Sequence, residues 1–183
     1  MQLLCGIDEA GRGPIAGDLV MAGCILHREI DGLNDSKKLT EKKREALYEL
    51  IIQDSEFHIV KFTSKSIDDD GILVCLKRGL QEIMQNLKCE NYLFDGNTTF
   101  GVKNLETMVK ADGKIAEVSA ASILAKVTHD RDILKEAEKY PEYQFEKHKG
   151  YGTAKHVEMI KKYGYCEIHR RSYKLKALEP TLF

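Results

Sequence analysis

Asp8 and Glu9 are adjacent carboxylates at the end of an apolar run (Leu3, Leu4, Cys5, Ile7), followed at once by Ala10-Gly11-Arg12-Gly13-Pro14. Successive strand side chains point to opposite faces, so two neighbouring acids share one site only where the backbone leaves the ladder between or just after them. The glycines, which tolerate positive φ, and the proline, which fixes φ, supply that departure. Paired carboxylates at a strand end, beside a glycine-flanked arginine, suit a site that holds a cation and grips a phosphate. A dinucleotide-binding loop is a poor rival: the next glycine is Gly17, giving G-x-G-x-x-x-G, and the strand-like run Leu19–Leu26 follows where a helix is needed. A turn carrying two solvated acids is the plainer alternative, and these residues alone leave it open.

Two further acids share the same local grammar of strand, acid and glycine turn. Asp95 follows Asn91–Phe94 and precedes Gly96-Asn97; Asp112 follows the strand-like run Leu105–Val109 and precedes Gly113. Ligand sites in α/β sheets collect at strand ends, so Asp8, Asp95 and Asp112 can meet on one rim, with Glu9 as a fourth ligand aimed inward by the turn. Clustered carboxylates repel unless cations neutralise them, and hard oxygen donors without a His/Cys cluster select Mg2+ or Mn2+ over zinc. Asp130 competes for the same role. If Ala116–Lys139 is one helix, roughly 21 Å at 1.5 Å per residue separate its start from Asp130, so Asp112 and Asp130 cannot both line one metal pair. Asp112 is the choice, and Asp130 in His129-Asp130-Arg131-Asp132 is expected in a structural ion pair or hydrogen bond.

The elements that must position these acids read as follows. Leu19–Leu26 pairs antiparallel with the first strand, and a loop through Leu33–Leu39 leads to Thr40 as a helix N-cap. The helix runs to about Gln53 with Ala46, Leu47, Leu50 and Ile51 on one stripe. Phe57–Thr63 alternates as a strand, and Ile67–Leu87 is helical past Gly71 with Ile72, Leu76, Leu80, Ile83 and Leu87 inward. Ala116–Lys139 is a helix with a small-residue face (Ser119, Ala120, Ala121, Ser122, Ala125) able to lie close on a sheet, ended by Pro141. His148–Thr153 is a glycine-broken loop, and Ala154–Tyr163 a helix stopped by Gly164. This order predicts one α/β domain over residues 1–183 with a mixed central β-sheet flanked by helices.

The 183 residues suffice for a core without staples. Five scattered cysteines with no C-x-x-C argue against a disulfide framework or zinc ribbon and favour a reducing compartment. With no leader-like or membrane-length apolar run, the expected location is cytoplasmic. The net charge of -1 hides a segregation: residues 145–178 hold nine Lys/Arg against three acids, +6, which leaves -7 for the remainder. A basic flank beside an acid-rich body fits a chain that grips phosphates on one side and holds cations on the other. A solvated helical face is the plainer reading of the same numbers.

Six blocks, taken together, resemble ribonuclease HII, of the ribonuclease H-like superfamily. They are Gly6–Gly13, Asp35-Ser36-Lys37-Lys38-Leu39, Asp95-Gly96, Val118–Val127, His148-Lys149-Gly150-Tyr151-Gly152-Thr153 and His169-Arg170-Arg171-Ser172. The resemblance implies a ribonuclease H-like fold and an endonuclease cutting the RNA strand of RNA–DNA hybrids, and lone ribonucleotides in duplex DNA. The cut falls 5′ to the ribonucleotide and leaves 3′-hydroxyl and 5′-phosphate ends, a step in ribonucleotide removal. Its acidic tetrad falls on Asp8, Glu9, Asp95 and Asp112, holding two Mg2+ or Mn2+ ions; its recognition loop on Gly11, Arg12 and Gly13; its junction-sensing tyrosine on Tyr151. Ser36, Lys37, Lys38, His148, Lys149, Arg170 and Arg171 are the remaining expected substrate contacts, within a basic, mainly helical segment from about 141 to 183. His27, His58 and His156 carry no functional claim. His129, Lys110-Ala111 and Tyr173 depart from the usual bacterial pattern without touching the acids.

Two rival functions remain: a non-catalytic hybrid- or RNA-binding module, and a two-metal nuclease acting on DNA junctions. The first has no reason to keep four mutually repelling carboxylates together; the second has no use for a ribose-sensing loop and Tyr151. The Glu179-Pro180-Thr181-Leu182-Phe183 tail resembles, weakly, the short peptides that dock into sliding clamps. The chain is otherwise expected to act as a monomer with no membrane partner.

Overall fold

A computed structural model describes residues 3–175. Five strands form one sheet in the order β3-β2-β1-β4-β5. β1 (Leu4–Ala10), β2 (Leu19–Leu26) and β3 (Ser55–Phe62) make an antiparallel meander, while β4 (Asn91–Asp95) and β5 (Glu106–Met108) lie parallel to β1 and to each other. The expected mixed α/β sheet is present. α1 (Glu41–Asp54) and α4 (Ala116–Lys139) cover one face, and α3 (Ile72–Asn86) covers the other.

The strand period decides which face each residue serves. Cys5 and Ile7 of β1, with Leu19 and Met21 of β2, pack under Leu76, Leu80 and Ile83 of α3. Their alternates Val20, Ala22 and Cys24 meet Ala120, Ala121 and Leu124 of α4 and Leu47 and Ile51 of α1. The small-residue face of α4 brings it almost onto the sheet. A Cβ at Gly6 would stand 2.2 Å from the Glu117 carbonyl carbon and 2.3 Å from the Val118 nitrogen. That contact fixes the helix against the strand that carries Asp8.

Several boundaries differ from the sequence reading. A seven-residue helix, α2 (Ser64–Asp70), precedes α3, capped by the Thr63 side chain and ended at Gly71 with φ 86°. Its polar SKSIDDD run has Ile67 as its one apolar residue, buried with Ser64, so it shows no helical stripe. On α1 the inward residues are Leu47 and Ile51; Leu50 is 43 % exposed and Ala46 faces solvent. The 141–175 region is helical only in part: a short 3-10 turn, α5 (Phe145–His148) and α6 (Ala154–Tyr163), after which residues 164–175 are irregular. Tyr143, Phe145, Met159 and Ile160 from this region share a core with Ile15, Ala16 and Ile133. Among the described residues no helix is long and apolar enough to cross a membrane. Lys176 and the Glu179–Phe183 tail lie outside the described residues.

Candidate active site

Asp8, Asp95 and Asp112 come together: one carboxylate oxygen from each lies within 4.8 Å of the others. β1 delivers Asp8 from its α4 face, β4 ends on Asp95, and a 3-10 turn over Ala111–Gly113 carries Asp112. The Asp95 carboxylate accepts from the Ala111 N–H (3.2 Å), tying that turn to the end of β4. The Ser119 hydroxyl of α4 donates to the Asp112 carbonyl. Asp130 is elsewhere on α4, where its carboxylate accepts from Lys126 (2.8 Å) and meets His129 (3.1 Å), as the length of the helix requires.

Glu9 needs a correction. β1 does not end at Asp8: its ladder with β2 continues through Asp8↔Ala22 and Glu9↔Met21 to Ala10↔Val20, although pairing with β4 stops at Ile7↔Phe94. No turn aims Glu9 inward. Glu9 lies outside the three-carboxylate group, yet its charge acts on Asp8 and it feels the charge of Asp95. Glu9 still borders the site: one carboxylate oxygen lies 3.7 Å from the Arg12 guanidinium, and the other is buried without a partner.

The electrostatics favour a positive guest. Burial, then the charge of Glu9, push the Asp8 carboxyl well up, against a hydrogen bond from Ser122. Ser122 is itself joined to Ser36 (Oγ to Oγ 2.9 Å). Burial raises Glu9 to about 7, with Arg12 opposing and Asp95 adding to the rise. Asp112 is raised by burial and by the charges of Asp95 and Asp35. A carboxylate cluster in which Asp8 and Asp112 are buried and raised, with an unpartnered oxygen of Glu9 at its border, is chemically matched to hard divalent cations. Asp8, Asp95 and Asp112, with Glu9 alongside, are the residues present that would hold such ions.

The basic and loop residues divide into groups that reach solvent and groups that do not. Lys37 and Lys38 stand with Asp95 and Asp112 on a cleft of ≈ 360 Å³ that is also lined by Lys110 and Lys114. The last two were missed, although they flank Asp112 within two residues in KADGK. Arg12 is exposed. Tyr151 is 44 % exposed, and its ring is 3.6 Å from where a Cβ on Gly13 would be, so loop and tyrosine adjoin. Lys149 is half-buried and Arg171 exposed.

Three residues read as substrate contacts are buried instead. Ser36 faces Ser122. His148 faces the core of the C-terminal region, where Nε2 meets the Tyr143 carbonyl (2.9 Å). Arg170 is 1 % exposed. Its guanidinium donates to the carbonyls of Gly17 (3.0 and 2.8 Å), Gly11 (2.6 Å) and Arg12 (3.3 Å), and to the Tyr173 hydroxyl (3.2 Å). It clamps the Gly11–Gly13 loop from beneath, and a phosphate cannot reach it. Gly11 is required there: at φ +85° a Cβ would lie 2.4 Å from the Asp18 carbonyl oxygen.

Comparison with known proteins places the whole chain in one family. A sequence model of the ribonuclease HII family matches residues 5–176. A ribonuclease HII of Sulfurovum sp. is 66 % identical over 98 % of this chain and 96 % of its own length. That of Aliarcobacter butzleri is 56 % identical over 97 % and 94 %. Among solved structures, the Archaeoglobus fulgidus ribonuclease HII, in a complex with PCNA, superposes with a TM-score of 0.82 at 30 % identity, covering 98 % of each chain. The chain therefore belongs to the ribonuclease HII family, endonucleases that hydrolyse the RNA strand of RNA–DNA hybrids.

Proposed function

We propose that this chain is a divalent-metal-dependent endonuclease that nicks 5′ to ribonucleotides, both in RNA–DNA hybrids and singly embedded in duplex DNA, leaving 3′-hydroxyl and 5′-phosphate ends. The observation that carries the reading is the convergence of the Asp8, Asp95 and Asp112 carboxylates within 4.8 Å. Asp8, Glu9, Asp95 and Asp112 hold the Mg2+ or Mn2+ ions. Such ions, when bound, activate a water and stabilise the leaving 3′ oxygen during in-line displacement. The protein's own part is to hold the carboxylates rigidly: Ser122 orients Asp8, and Ser119 fixes the Asp112 turn against α4. Arg12 grips a phosphate with its planar fork, and the Gly11–Gly13 backbone reads the 2′-hydroxyl at close range. Tyr151 lays its exposed ring on the neighbouring sugar, while Lys37, Lys38, Lys149 and Arg171 add salt-sensitive phosphate contacts.

The test compares three matched duplexes (one embedded ribonucleotide, a full hybrid, all DNA) with Mg2+, Mn2+ or chelator. Metal-dependent nicking 5′ to the lone ribonucleotide, lost in Asp8→Asn with hybrid binding retained, is the expected result. Cleavage of all-DNA duplex, or near-normal turnover by Asp8→Asn, would refute it. A contact between the Glu179–Phe183 tail and a sliding clamp is proposed on the same footing, supported by the PCNA complex of the Archaeoglobus relative. Equal clamp capture with and without these five residues would dismiss it.

A further inference from the structure

Behind Tyr151 lies a buried chain of hydrogen bonds that none of the substrate contacts above includes. His169 is 2 % exposed and His156 is 0 % exposed. The Cys166 backbone N–H lies 2.9 Å from His169 Nδ1 and can only donate, so that nitrogen is bare and His169 carries its proton on Nε2. At the far end, His156 Nδ1 lies 3.0 Å from the Tyr151 carbonyl, which can only accept, so His156 carries its proton on Nδ1. The two Nε2 atoms are 3.0 Å apart, one protonated and one bare, and complete the line. A single pair of neutral tautomers satisfies all three contacts. The rings are held by packing: His148 stacks on His156 (centroids 4.2 Å), and Phe145 stands edge-on to it (5.3 Å).

We propose that His156 and His169 are positioning residues: their fixed-tautomer relay from Cys166 to the Tyr151 carbonyl sets where the Tyr151 ring stands against the ribonucleotide-reading loop. The relay is anchored at the loop as well. His169 pairs with Ala16 in an isolated bridge, the Ile15 N–H donates to the Gly150 carbonyl (2.9 Å), and the Arg170 N–H donates to the Ile15 carbonyl (2.8 Å). His169 and Arg170, adjacent in sequence, therefore hold the two recognition elements from one point. His169 acts on Tyr151, and Arg170 acts on Gly11–Gly17. The relay rests on the reading of Tyr151 as a substrate contact.

The test uses the ratio of kcat/KM on an embedded single ribonucleotide to that on a full hybrid. Tyr151→Ala is measured first, and His156→Phe, His156→Gln and His156→Asn follow. Asn can keep a donor near the Nδ1 position; Gln offers His169 an acceptor but gives Tyr151 no donor; Phe keeps only the ring. Small displacements of a positioning group are expensive, so His156→Phe and His156→Gln should lower the ratio by about tenfold and His156→Asn by no more than about threefold. Equal losses on both substrates, or no loss, in a set where Tyr151→Ala does lower the ratio would overturn the relay. No effect of Tyr151→Ala would instead overturn the reading of Tyr151, and the relay's role with it. Side-chain 15N NMR of the intact protein decides the geometry without activity: Nδ1–H on His156 and Nε2–H on His169 are expected, and Nε2–H on His156 would refute the assignment.

Discussion

Replacing Arg170 separates charge from shape in the clamp under the Gly11–Gly13 loop. In Arg170→Met the carbonyls of Gly11 and Gly17 lose the guanidinium donors described above, whereas the Arg12 carbonyl keeps the Tyr173 hydroxyl at 2.8 Å. A stranded buried carbonyl costs about 1–3 kcal/mol, so two come to about 2–6 kcal/mol. Removing a buried cation relieves a desolvation penalty of several kcal/mol, which offsets part of that sum. The expected net loss is about 2–3 kcal/mol, or a fall in Tm of about 4–12 °C for a chain of this size. Arg170→Lys keeps the buried charge and so forfeits the relief, while a single ammonium cannot span carbonyls on Gly11, Arg12 and Gly17. It should be no more stable than Arg170→Met. Urea unfolding of the three proteins, compared at constant m, measures this. If Arg170→Met falls within about 0.5 kcal/mol of the wild type, ordinary for a surface substitution, the clamp is not a stabilising element. If Arg170→Lys rescues stability, charge rather than the fork is what the loop needs.

Three other outcomes follow from the same structure. Under chelation, Asp8→Asn should raise Tm at pH 8, because the folded carboxyl is held above its unfolded value of 3.8; the gain should shrink as pH falls and vanish only below 3.8, where the unfolded carboxyl is protonated too, and a pH-independent difference would refute it. Gly11→Ala places a Cβ 2.4 Å from the Asp18 carbonyl oxygen at φ +85°, so it should lose about 1–3 kcal/mol and raise KM for the embedded ribonucleotide; wild-type values for both would dismiss the loop's tight fit. His156 and His169, both depressed by burial from 6.5 to about 4, should titrate in NMR near the lower value. Neutral when folded, they contribute stability that is complete above pH 6.5 and lost as pH falls toward 4; midpoints near 6.5 would contradict their burial.

The parts of the site legible from sequence were those with a local signal. Asp95 and Asp112 each follow a strand-like run and precede a glycine turn, and α4 was bounded by its own small-residue face and by Pro141. The turn expected beside Glu9 is absent because nothing local says that β1 keeps its ladder with β2 for three residues after losing β4; that depends on where the neighbouring strands end. Arg170 and His148 were misread because charge and polarity suggest exposure. Burial became possible only through partners far away in the chain, the Gly11 and Gly17 carbonyls for one and the Tyr143 carbonyl within a packed aromatic cluster for the other. Ser36 was hidden for the same reason, since its partner Ser122 is 86 positions away. α2 lacked an apolar stripe altogether.

The clamp has a consequence for how the protein comes into being. The loop it holds lies near the start of the chain, and its guanidinium is 159 positions later. During synthesis the first strand and its carboxylates leave the ribosome long before the residue that shapes the adjoining loop exists. Closing so long a segment is also entropically slow, so this contact belongs among the last to form. A nascent or prematurely terminated chain can thus possess its acidic residues without an ordered grip on nucleic acid. An ordered Gly11–Gly13 loop therefore waits on a residue 159 positions downstream.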